Sequence, residues 1–117
     1  MGVDLYLMPE ETYGLGPNYP HRYSQTVLDC CRKSILFNEI AKLSSKEIVI
    51  PNTFCGDNGR YGITTFDAYG NILKSVKVKE LLTLSNHEEV LDNWKNRAIW
   101  AYLACLPEDL DVILYWH

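Results

Sequence analysis

The sequence predicts an α+β domain: a mostly antiparallel sheet of about five strands with two main helices packed on one face. Three patterns lead there. Residues 86–105 carry apolar side chains at helical spacing and run into the β-branched, aromatic stretch Val112-Ile113-Leu114-Tyr115-Trp116. Ile63-Thr64-Thr65-Phe66 and residues 72–78 flank Asp67-Ala68-Tyr69-Gly70-Asn71, as the strands of a hairpin flank a glycine-bearing turn. A second helical pattern, residues 32–43, stands between further strand candidates, so helices cross singly between clusters of strands. At 117 residues the chain reads as one domain, 1–117, long enough for a core that needs no metal or disulfide.

In chain order, Val3 to Met8 alternates as a strand with Val3, Leu5 and Leu7 on the core face, and Pro9 ends it. Glu10 to Tyr23 contains Gly14, Gly16, Pro17, Asn18 and Pro20, which makes it a loop long enough to be a functional candidate. Residues 25–30 are rich in strand formers. The helix over 32–43 puts Leu36, Ile40 and Leu43 on one face with Phe37 beside them. Ile48-Val49-Ile50 is a short apolar run halted by Pro51, and Pro51 to Gly62 is a second loop. Lys74, Lys77 and Lys79 keep one side of the second hairpin strand wet, which suits a sheet edge. Lys79 to Leu84 forms a short helical turn.

Ser85 with Glu88 three residues on reads as a capping box, and one helix follows to Cys105, about 30 Å long at about 1.5 Å per residue. Its predicted core face is Val90, Leu91, Trp94, Ala98, Ala101, Tyr102 and Cys105. The opposite side carries Asp92, Asn93, Lys95 and Asn96, and then changes character to Ile99, Trp100 and Leu103. That second apolar face is either covered by another element or is a surface for a protein partner, a second copy of the chain included. The last strand, after Pro107, is expected in the sheet interior.

A formal charge of -4 weighs against non-specific nucleic-acid binding, which rests on a basic face. No long apolar run and no basic leader is present at the start, so the expected location is the cytoplasm, with Cys30, Cys31, Cys55 and Cys105 as free thiols. The vicinal Cys30-Cys31 lacks the spacing of a metal or redox pair. Of the histidines, His87 in a helix's first turn and His117 at the last position suit a catalytic base poorly, which leaves His21 in the long loop to meet a cysteine nucleophile. Asp4 and Asp29 fall on one face of neighbouring strands, where a carboxylate pair can do acid–base work or simply face solvent. Gly56-Asp57-Asn58-Gly59-Arg60 fits neither a phosphate loop nor a calcium loop and reads as a turn. No cofactor and no metal are expected.

Several stretches resemble a group of short, uncharacterised bacterial and phage proteins: the Met1-Gly2-x-Asp4-Leu5 opening, Thr26-Val27-Leu28-Asp29-Cys30-x-Arg32, Leu36-Phe37, Asn96-Arg97-Ala98, Tyr102-Leu103 and the Leu114-Tyr115-Trp116 end. The resemblance implies a small mobile-element protein that binds and blocks a host complex, for instance a CRISPR defence nuclease. The leading expectation is therefore a non-enzymatic protein-binding module, an inhibitor of anti-CRISPR type. Its candidate binding residues are Ile99, Trp100 and Leu103, with Arg60, Tyr61, His21 and Arg22 from the loops. The alternative is a small enzyme or ligand-binding domain that uses His21, Arg22, Arg60 and Tyr61 beside a sheet-face carboxylate.

Overall fold

The computed structural model describes residues 3–10, 22–48, 50–55 and 61–117, with only the backbone for 22, 23, 54, 55 and 61–63. Its main sheet has five antiparallel strands in the order β3-β1-β8-β7-β4: Leu28–Asp29, Leu5–Pro9, Asp111–Trp116, Lys74–Lys77 and Ser45–Glu47. The helices are α1 (Ser34–Ala41), α2 (Val78–Leu82), α3 (Glu88–Leu91) and α4 (Trp94–Ala104). Two of them, α1 and α4, are the main helices, and the α+β class is as the sequence predicts. A smaller sheet, β2-β5-β6 (Arg22–Ser24, Asn52–Cys55, Tyr61–Thr64), has β2 parallel and β6 antiparallel to β5.

The last strand, β8, lies between β1 and β7, the interior place its β-branched run predicts. Alternation along it splits the core in two. Val112 and Leu114, with Leu5, Leu7 and Val76, meet the helices through Leu36, Ile40, Leu81, Val90 and Leu103. On the other face Ile113 and Met8 join Ile48 and Leu73.

Four expectations are corrected. Residues 63–66 and 72–78 do not form an extended hairpin. They share one isolated bridge, Phe66 to Ile72, and then diverge: β6 pairs with β5 while β7 pairs with β8 and β4. The turn itself is present, with Gly70 at φ 81°, a conformation glycine adopts without a Cβ penalty. Second, β7 is an interior strand. Its Lys77 is accommodated there because Asp111 of β8 accepts it at 2.9 Å and also accepts Lys46 of β4 at 3.2 Å. The edge is β4, whose three residues are all exposed. Third, strand β3 is only two residues, far shorter than the run 25–30. Fourth, of the two long predicted loops, 11–21 and 56–60 lie outside the described residues, while β2 enters the first and β5 and β6 occupy the described part of the second, so those parts are strand and not loop.

Candidate functional site

The predicted helix 86–105 is two helices, and the break decides which side is buried. Asn93 has extended backbone, φ -132° and ψ 126°, and its Oδ1 accepts the amides of Lys95 (2.9 Å) and Asn96 (3.1 Å). It is the N-cap of a new helix. Ser85 caps nothing: its hydroxyl donates to the Leu82 carbonyl, and the N-cap of α3 is His87, whose Nδ1 accepts the Glu89 amide.

On α4 the buried residues are Asn96, Ile99, Trp100 and Leu103, a continuous stripe at helical spacing. Ile99, Trp100 and Leu103 are therefore core, at 6%, 4% and 0% exposure, and are not an exposed docking face. What covers them is the α2 side of the sheet: Trp100 Nε1 donates to the Leu81 carbonyl at 2.9 Å, and Val78 and Leu81 are fully buried in the same cluster. Asn96, read from the sequence as a solvent-facing residue, is fully buried. Its side chain accepts from the Cys31 amide and donates to the carbonyls of Cys31 and Glu89. Glu89 in turn accepts the Leu36 amide at the start of α1 at 2.7 Å, where a carboxylate also complements the helix dipole. These bonds leave α4 a single rotational setting.

Val90, on α3, is buried as predicted, but that setting turns the rest of the predicted core face outward. Trp94 is 71% exposed, Leu91 49% and Tyr102 40%, and Ala98, Ala101 and Cys105 are exposed beside them. Residues 94, 98, 101, 102 and 105 form one stripe on α4, large at Trp94 and Tyr102 and small between. Arg97 is held at its edge by donating to the Leu91 carbonyl, the end of α3. The neighbouring charges are taken up internally: Asp92 pairs with Lys33, and Lys95 with Asp29. The stripe is thus apolar, with a polar border in which Asp92 and Lys95 are ion-paired and Arg97 bonds a backbone carbonyl.

The other candidates separate. His21 and Arg60 lie outside the described residues, and the side chains of Arg22 and Tyr61 are likewise not described. The backbone places Arg22 opposite Asn52 and Tyr61 opposite Cys55, on either side of β5 and at its two ends. They stand about 10 Å apart along the strand and about 9.5 Å across it. Asp4 and Asp29 do not form a carboxylate dyad. Arg32 grips Asp4 through two bonds, 3.0 and 2.7 Å, which hold its carboxyl below the ordinary value, while Asp29 pairs with Lys95. Burial pushes the Cys30 thiol up to about 12, which removes it as a nucleophile near neutral pH. His117 is tied to Asp4 by reciprocal backbone bonds and its ring lies 4.1 Å from that of Tyr6. Among the described residues no three His, Cys, Asp or Glu side chains converge as a metal site, and no helix is long and apolar enough to cross a membrane.

No family model, curated protein or solved structure matches this chain.

Proposed function

We propose that the protein is a small non-enzymatic protein-binding module whose docking face is Leu91, Trp94, Ala98, Ala101 and Tyr102. The observation that supports this reading is Trp94, the most exposed large hydrophobic side chain of those described, at 71%. A tryptophan presents roughly 150–250 Å². Covering the exposed part is worth about 3–4 kcal/mol gross at roughly 25 cal/mol per Å², before the losses of association. Tryptophan and tyrosine at the centre of a patch are typical hot-spot chemistry. The occupant is a different protein offering an apolar groove, since Asp92 and Lys95 at the border are already paired with Lys33 and Asp29. On the resemblance to short mobile-element proteins, that partner is a host defence complex of the CRISPR nuclease type, and the module blocks it.

The test mixes purified protein with candidate nuclease complexes and measures co-elution and nuclease activity. Stable binding and inhibition that vanish with Trp94→Ala and Tyr102→Ala, while the variants keep the parent fold, support the reading. Binding that survives both substitutions moves the docking face elsewhere. Dimerisation of the parent protein through this stripe, abolished by the same substitutions, replaces the heterologous partner with a second copy. No complex with any protein, together with turnover of a small molecule, overturns the module reading and favours the enzyme alternative.

A further inference from the structure

A cavity of about 450 Å³ opens on the helix-covered side of the sheet, beside the last turn of α1. That volume lies within the range of small-molecule sites, and its wall has the mixed character such sites need. Trp116, Leu114 and Ile72 supply apolar surface, while Asp67, Glu47 and Lys74 supply charge. The cavity shares no residue with the α4 stripe.

Asp67 is the informative group. It is a carboxylate only 9% exposed. One oxygen, Oδ1, accepts the amides of Tyr69 (2.8 Å) and Asn71 (3.0 Å), which fixes it in the turn. The other oxygen receives no hydrogen bond among the described residues, and none of their cations pairs with it. Closing the turn does not call for the charge, because asparagine offers the same amide-accepting oxygen. Asp67 lines the cavity, and its second oxygen is not sealed from solvent, so it is open to a cation that enters there. Glu47, on the edge strand opposite Lys74, adds a second carboxylate. Two carboxylates against one ammonium leave the cavity with a net negative charge. Trp116 is held edge-on against Phe37, ring centres 5.8 Å apart, and an indole is the best aromatic neighbour for a cation. Its own carbonyl accepts the Ala68 amide and so ties the turn carrying Asp67 to β8.

We propose that this cavity binds a small amphipathic monocation, an ammonium on an apolar group, with the cation at Asp67 and Glu47 and the apolar part against Trp116, Leu114 and Ile72. The probe is 2-phenylethylammonium, and its neutral counterpart is 2-phenylethanol. Binding is followed by the Trp116 indole N–H signal in NMR titration of the whole chain. The ammonium shifts that signal saturably, and the alcohol binds about tenfold more weakly or not at all. Asp67→Asn, which keeps the turn, weakens the ammonium by a similar factor and leaves the backbone signals of residues 68–71 in place. Glu47→Gln, on an exposed strand with little at stake for folding, weakens it less, and Lys74→Gln tightens it. Equal affinity for ammonium and alcohol, no loss in either carboxylate variant, or no Trp116 shift at roughly 10 mM probe, four decades above a typical micromolar site, each overturns the proposal.

Discussion

Asn96 and Cys31 bind each other twice across 65 residues of chain: the Cys31 amide donates to Asn96 Oδ1 at 2.9 Å, and Asn96 Nδ2 donates to the Cys31 carbonyl at 3.2 Å. The side chain thereby stands in for a strand partner at the end of β3. It fixes the depth and rotation of α4 against the segment that leads into α1.

Asn96→Ala should cost about 2–4 kcal/mol, because it leaves the half-buried Cys31 amide and carbonyl without these partners as well as a void. Asn96→Leu fills the void but keeps the orphaned groups, so it should remain destabilising. Urea denaturation of the two variants measures this, and a loss below about 1 kcal/mol for both would contradict the role given to Asn96.

The apolar residues of the inner stripe and those of the outer stripe should respond oppositely. Trp100→Ala is expected to lose about 3–5 kcal/mol of stability, since it removes a buried indole and its bond to Leu81. Trp94→Ala should change stability by no more than about 0.5 kcal/mol, as exposed substitutions usually do. Thermal unfolding of both variants in parallel decides it. Equal losses would mean that the two faces have been exchanged.

Asp111 sets part of the acid limit of the fold. Burial pushes its carboxyl up, but Lys77 and Lys46 together outweigh burial and hold it below its ordinary value of 3.8. A carboxyl depressed in the folded state contributes stability that is complete above the unfolded value and is lost as pH falls through the folded one. Asp111→Asn should therefore lower stability at neutral pH and flatten its decline below about pH 4. Stability curves from pH 2 to pH 7 that fall in parallel for parent and variant would rule this out.

Thiol reactivity should follow exposure. Cys105, exposed at the end of α4, alkylates first at pH 8, Cys31 later, and Cys30 only on unfolding, with its thiol at about 12. Mass-spectrometric mapping of iodoacetamide adducts over time gives the order. Early modification of Cys30 in the folded protein would show that the β3 end opens locally.

The grouping of α4 residues was legible in the sequence, but their sidedness was not. Trp94, Ala98, Ala101, Tyr102 and Cys105 do share a face, and Ile99, Trp100 and Leu103 share another. Both faces are apolar, so hydrophobic spacing alone has no means of choosing between them. The choice is made by polar atoms that spacing ignores: the amide of Asn96, the indole N–H of Trp100 and the cap at Asn93. Asp92-Asn93 was the available signal, since such residues prefer helix starts to helix interiors. The strand at Leu5–Pro9, the helix at Ser34–Ala41 and the interior strand at Asp111–Trp116 were readable because each has one dominant pattern. The role of β7 was not, because two lysines in a strand look like an edge until the carboxylate that serves one of them is seen on the neighbouring strand.

The central place of β8 also puts an order on events during synthesis. Strands β3 and β1 leave the ribosome early, and β7 and β4 later, yet within the main sheet each pair joins the other only through β8. Until residues 111–116 emerge, β1 has no partner for the five positions it will match to them, from Leu5 with Trp116 to Pro9 with Val112. A nascent chain stalled before that point carries two unjoined half-sheets with unpaired strand edges, the kind of species that chaperones hold and that aggregates when they do not. Completion of the main sheet therefore waits on the emergence of residues 111–116.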